Sequence, residues 1–243
     1  MNIVRQACSW LGPLKPKRKQ RMHNEKYDLP GIINDRPFIQ LLVGKKGSGK
    51  SVLCCKLLLT SYRFCFDRII FISPTFRAQH STLWNQISPE GVEVHEQLTE
   101  TLVQKLYDEL SAKQNCSCKK TTLLVLDDLG EELKKIEPRL INLLVSNSRH
   151  YRLSIISLHH KLTQCPTVIR GQVDSICMFG ACSYLERECL YKEVSVVEQK
   201  LFMKMFTEVT EKPHAFLVCT MSREGKLKYF YSDFKTEVVI ENK

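Results

Sequence analysis

Gly44-Lys45-Lys46-Gly47-Ser48-Gly49-Lys50-Ser51 matches the phosphate-binding pattern G-x-x-x-x-G-K-[ST] at every fixed position. The residues before it, Phe38-Ile39-Gln40-Leu41-Leu42-Val43, read as a short buried strand running into the glycines. Those after it, Val52-Leu53-Cys54-Cys55-Lys56-Leu57-Leu58-Leu59, read as a buried helix that begins at Lys50. A loop between strand and helix can curl its backbone N–H groups round a phosphate only if it carries little side-chain bulk, which Gly44, Gly47 and Gly49 ensure. The helix N-terminus behind the loop adds the positive end of its dipole. Lys50 is then expected to reach the β- and γ-phosphates and Ser51 to place its hydroxyl on Mg²⁺. Lys45, Lys46, Ser48 and Val52 complete the nucleotide-binding stretch.

The rest of the chain is consistent with one soluble α/β domain. Its 243 residues can bury one substantial core, and 43% hydrophobic with 26% charged residues is ordinary for a globular protein. No run reaches eighteen apolar residues, so no transmembrane helix is expected. The N-terminus lacks an apolar core followed by a small-residue cleavage site, so no secretory signal is expected either. Eleven cysteines is an odd number, and Cys54, Cys55, Cys177 and Cys219 sit inside apolar runs. That pattern fits buried free thiols in a reducing, intracellular compartment. Cys116-Ser117-Cys118 is the one tight pair, and a lone C-x-C is weak grounds for a metal.

A formal charge of +10 points to an acidic partner, with DNA, RNA and anionic membrane all compatible. Much of the excess lies in Lys15-Pro16-Lys17-Arg18-Lys19-Gln20-Arg21. Residues 1–30 therefore read as a basic, irregular leader and residues 31–243 as the folded domain. The leader run can be a solvated tail, a nuclear address or a phosphate-gripping arm.

Apolar strands alternate with helical stretches along the domain. Strands are expected at Ile69–Ser73, Thr121–Asp127, Leu153–Leu158 and Ser175–Phe179, with Ala215–Thr220 and Leu227–Tyr231 as a closing pair. Helices are expected near Thr82–Gln86, at Thr99–Ala112, from Pro138 to about Ser148, at Pro166–Arg170 and over Leu185–Met205. This alternation predicts a mostly parallel central sheet with helices on both faces, the P-loop NTPase class.

Thr121-Thr122-Leu123-Leu124-Val125-Leu126-Asp127-Asp128 reads as a Walker B strand. Parallel strands present their C-terminal ends to one crevice, so its aspartates are expected beside the P-loop. Asp127 would hold Mg²⁺, and Asp128 would orient or deprotonate the attacking water, with Glu131 or Glu132 able to share that task. Asp127-Asp128-Leu129-Gly130 also fits D-x-x-G, but no N-K-x-D or T-K-x-D stretch accompanies it to select guanine.

Asn147-Ser148-Arg149-His150, then Leu153 to His160, then Pro166-Thr167-Val168-Ile169-Arg170, resembles the DNA-packaging ATPases of poxviruses and other large DNA viruses, with relatives in virophages and Maverick/Polinton elements. Phe71-Ile72-Ser73-Pro74-Thr75, and Phe206-Thr207-Glu208-Val209-Thr210 ahead of His214-Ala215-Phe216-Leu217, extend the resemblance over residues 36 to 234. It implies the FtsK/HerA-like branch of P-loop motors, which form rings and pump double-stranded DNA with ATP and Mg²⁺. It further implies that Arg149 or Arg170 contacts the γ-phosphate, from a neighbouring subunit, and offsets transition-state charge. The family's polar sensor, often glutamine, falls here on His160, which follows His159.

The expectation is thus an ATP-driven, homo-oligomeric DNA translocase that packages a viral genome, with viral capsid proteins as further partners and no membrane role. It would act in the host nucleus or at the viral assembly site, or travel with the virion. A motor indifferent to sequence grips backbone phosphates, and Lys17, Arg18, Lys19 and Arg21 form the densest set of cations for that. A nucleotide or nucleoside kinase, and a non-hydrolysing ATP-dependent switch, are the alternatives.

Overall fold

The structure, a computed structural model, describes residues 3–7, 37–75, 92–114, 120–194, 197–221 and 227–240. In chain order the elements are β1 (Ile3–Ala7), β2 (Ile39–Val43), α1 (Lys50–Leu59), β3 (Arg68–Ile72), β4 (Val92–His95), α2 (Glu100–Gln114), β5 (Thr122–Asp127), α3 (Gly130–Lys135) and α4 (Pro138–Ser146). They continue with β6 (Leu153–His159), a 3₁₀ turn (Leu162–Gln164), α5 (Thr167–Arg170), β7 (Ser175–Phe179), α6 (Tyr184–Val194), α7 (Gln199–Val209), β8 (Phe216–Met221), β9 (Leu227–Ser232) and β10 (Thr236–Ile240).

All ten strands join one sheet in the order β1-β10-β9-β8-β7-β2-β6-β5-β3-β4. From β7 to β4 every neighbouring pair is parallel, which is the expected half. From β7 to β1 every pair is antiparallel. The switch has a simple origin. The chain leaves β7 at its C-terminal end and runs out and back through α6 and α7. The chain therefore re-enters at the edge it left, and β8 runs antiparallel to β7, with Phe179 opposite Phe216.

The parallel strands are buried on both faces and read as apolar runs for that reason. Alternate residues of β2 divide between two cores. Ile39, Leu41 and Val43 pack with Val103, Leu106 and Leu110 of α2, and with the inward faces of α4 and α7. Leu42 packs on the other side with Cys54, Cys55, Leu57 and Leu58 of α1. Helices thus cover both faces, with α1 on one and α2 to α7 on the other. The continuous helical stretch expected over Leu185–Met205 is two helices, α6 and α7. Within the leader, Ile3–Ala7 pairs with β10 as an edge strand. The helix expected near Thr82–Gln86 and the Cys116/Cys118 pair lie outside the described residues.

Cys54, Cys55, Cys177 and Cys219 are free and buried. Burial pushes the Cys55 thiol up to about 12, so it is an inert apolar filler, not a nucleophile.

Candidate functional site

The C-terminal edge of the parallel strands gathers the chemistry. β2 hands over directly to the glycine loop, whose first N–H, from Gly44, donates to the His159 carbonyl at 3.1 Å. Gly47 and Gly49 have φ of 77° and 104°, left-handed values that would strain an L side chain. Gly44 is required by space instead, since a Cβ there would lie 2.7 Å from Ser48 Oγ and 2.9 Å from Phe179 Cβ. Ser48 N–H donates to the Lys45 carbonyl at 3.1 Å and tightens the loop, while Lys45 and Lys46 point to solvent. Val52, just inside α1, is 39% exposed and lines a cavity that runs along that helix.

Lys50 is 8% exposed. Its ammonium donates to the carbonyls of Gly44 at 2.6 Å and Lys45 at 3.1 Å, and to His160 Nδ1 at 3.3 Å. Burial lowers its pKa, and the charges of Asp128 and Asp127 oppose that shift. A buried cation held mainly by neutral groups is a receptor for an anion. Lysine has only protons to give, so His160 Nδ1 accepts, and Nε2 carries the proton it donates to Asp128 at 3.0 Å. His160 therefore links the P-loop lysine to the second Walker B aspartate.

Asp127 ends β5 almost fully buried, and Ser73, one residue past β3, donates to its Oδ2 at 3.0 Å. Burial raises its pKa, with the Ser73 hydrogen bond opposing. A desolvated carboxylate at the strand edge that also carries the P-loop is a hard-oxygen ligand suited to Mg²⁺. Asp128 is held at φ 57°, in the left-handed region, which turns its side chain towards His160. Glu131 and Glu132 lie in α3, where Glu131 pairs with Lys134 at 2.9 Å.

His159 takes no part in the cleft. It is 1% exposed, and its Nε2 shares a hydrogen with Ser157 Oγ at 2.8 Å. Arg149 and Arg170 also stand apart. Arg149 precedes β6 and faces Asp174 at 3.8 Å, at the N-terminal end of the strands. Arg170 is bound to Glu193 of α6 at 2.9 Å. Lys17, Arg18, Lys19 and Arg21 lie outside the described residues.

Some neighbours of the loop are given no site role by the sequence, although His214 and Phe216 fall in a stretch that carries the resemblance. His214, in the turn before β8, meets the Ser48 carbonyl through Nδ1 at 3.1 Å. Phe179 and Phe216, cross-strand partners with ring centroids 5.1 Å apart, pack beside it. A cavity of about 470 Å³ opens there along α1. Glu186 of α6, buried, accepts from the Leu162 N–H and the Thr163 hydroxyl and so anchors the loop that follows His160. Only the sheet order brings these groups to the P-loop, and spacing along the chain does not reveal it.

The sequence profile described as Poxvirus A32 protein matches residues 26–243. The chain is 28% identical over 162 residues to the DNA packaging protein OPG160 of variola virus, covering 64% of this chain and 58% of that protein. It is 25% identical over 200 residues to the uncharacterized protein 015R of frog virus 3, covering 81% and 61%. It therefore spans about six-tenths of the length of these curated relatives. Among solved structures, B204, the DNA-packaging ATPase of Sulfolobus turreted icosahedral virus, superposes with a TM-score of 0.57 at 19% identity, covering 81% of this chain and 98% of that one. At that identity the likeness establishes the fold.

Proposed function

The chain belongs to the Poxvirus A32 protein family, and from that premise and the site we propose that it is an ATP-driven double-stranded DNA translocase that packages a viral genome at the site of virus assembly. It would hydrolyse ATP at the subunit interfaces of a homo-oligomeric ring and engage capsid proteins there. The observation that carries the reading is the chain of contacts from Lys50 through His160 to Asp128, with buried Asp127 beside it.

An incoming γ-phosphate competes for Lys50 with the Gly44 and Lys45 carbonyls and with His160 Nδ1. Charge-assisted bonds to phosphate are roughly twice as strong as neutral ones, so the phosphate wins. His160 then loses its donor, and the imidazole and Asp128 become free to orient a water on the phosphate. Ser51 and Asp127 would hold Mg²⁺, which neutralises charge building on the phosphate oxygens. Asp128 takes the proton of the attacking water. The P-loop N–H groups and Lys50 stabilise the transferring phosphoryl group.

The test is ATP hydrolysis with and without double-stranded DNA, over protein concentrations that span assembly. Stimulation by DNA that develops as the protein oligomerises is the expected result. Turnover indifferent to DNA and linear in protein would instead identify a monomeric phosphotransferase. Stoichiometric binding without turnover would identify a nucleotide switch.

A further inference from the structure

Asp127, Asp128 and His160 lie on the β5–β6 side of the P-loop, whereas the cavity lies on the β7–β8 side. A nucleotide with its γ-phosphate at the carboxylates therefore extends its nucleoside across β2 into that cavity. The walls suit one: Val52, Leu53, Phe179 and Phe216 are apolar, and about 470 Å³ lies within the range of small-ligand pockets.

His214 stands with Lys50 and Ser51 among the polar groups at the phosphate end of this cavity, and it alone of the three comes from the β7–β8 side. Its Nδ1 lies 3.1 Å from the Ser48 carbonyl and 3.5 Å from where a Cβ on Gly49 would sit. Lys56, at the far end, is about 9 Å further along the helix than Lys50. The first part of a nucleoside beyond the phosphates is its sugar, and the base continues towards Val52, Leu53 and Phe216. A carbonyl can only accept, so Nδ1 of His214 carries the proton, and in the neutral ring Nε2 keeps its lone pair. A lone pair repels phosphate oxygens, which are acceptors too, and attracts a hydroxyl. The backbone holds His214 at φ 61°, in the left-handed region that most side chains avoid and that histidine enters more readily than most.

We propose that His214 accepts a hydrogen bond from a ribose hydroxyl, so that this site reads the sugar of its nucleotide. The proposal rests on the reading of this P-loop as an ATP site.

The test is calorimetric binding of ADP, 2′,3′-dideoxy-ADP and pyrophosphate, each with Mg²⁺, to the full chain and to His214→Phe and His214→Gln, with thermal unfolding to verify folding. Wild type should prefer ADP over dideoxy-ADP by roughly three- to tenfold, the worth of a neutral hydrogen bond. His214→Phe should lose that preference while holding dideoxy-ADP within about twofold of wild type, and His214→Gln, which retains an acceptor, should keep part of it. Equal wild-type affinities, or a preference that survives His214→Phe, overturn the proposal. So does a uniform loss for all three ligands, which would make His214 a phosphate contact. Failure of wild type to bind any of the three defeats the ATP-site reading itself, and this proposal with it.

Discussion

His159 ends β6 and His160 follows it in an opposite setting, and the buried His159 should make stability fall in mild acid. Burial pushes His159 from 6.5 down to about 4, and it keeps its contact with Ser157. In the unfolded chain this ring takes up a proton near pH 6.5, and in the folded chain only near pH 4. Between these values the unfolded state binds more protons, so stability is complete above the window and declines as the pH falls through it. Integrated from pH 7 to pH 4.5, the loss from this one group is about 2 kcal/mol. His159→Gln keeps an amide for Ser157 and cannot titrate. Urea unfolding of both proteins at pH 7, 6, 5 and 4.5 measures the effect, because the carboxylates common to both cancel in the difference. With a urea slope of about 2 to 3 kcal/mol per molar for a chain of this size, the wild-type midpoint should drop towards the variant's by about 1 M over that range. Parallel pH profiles for the two proteins would refute the argument and mean that His159 is protonated, or solvated, in the fold.

The P-loop makes two further demands. Gly44→Ala puts a methyl group 2.7 Å from Ser48 Oγ and 2.9 Å from Phe179 Cβ. It should cost about 1–3 kcal/mol of stability and shrink the thermal shift produced by ADP and Mg²⁺, since the loop must open to admit it. Asp127→Asn removes a desolvated carboxylate and leaves an amide oxygen for the Ser73 hydroxyl. In metal-free buffer its unfolding midpoint should equal or exceed wild type, while Mg²⁺-dependent hydrolysis falls by at least about a hundredfold.

The parallel half of the sheet was legible because strands buried on both faces are apolar from end to end, as in Leu41-Leu42-Val43 and Ile155-Ile156. Edge strands leave no such mark. β4 is Val-Glu-Val-His, with Glu93 paired to Arg68 and hydrogen-bonded to His95, and it reads as loop. α3 is six residues carrying four charges, too short to show a periodicity. In the candidate site, Lys50, Ser51 and Asp127 are legible from motifs because a phosphate-and-Mg²⁺ site would impose local geometry. His214 stands 166 residues from its partner Ser48, and the contact exists only because α6 and α7 return the chain to the edge it left.

That geometry constrains how an arginine could complete the site. β6 runs seven residues from Leu153 to His159, so Arg149 lies about 20 Å from the P-loop edge of the sheet in its own subunit, beyond the reach of its side chain. Arg170 is 16% exposed and bonded to Glu193, whereas Arg149 is 56% exposed and only 3.8 Å from its nearest acid. Arg149 is thus the one free to act on another subunit. Such an interface joins the N-terminal edge of one sheet to the C-terminal edge of the next, a heterologous contact of the kind that closes into rings. Mixing two inactive variants tests it. In a random mixture of Lys50→Ala and Arg149→Ala chains, about one quarter of interfaces would pair a native Lys50 with a native Arg149, so activity should return towards that fraction of wild type. If both residues served the same subunit's site, no site would contain both, and the mixture would stay inactive.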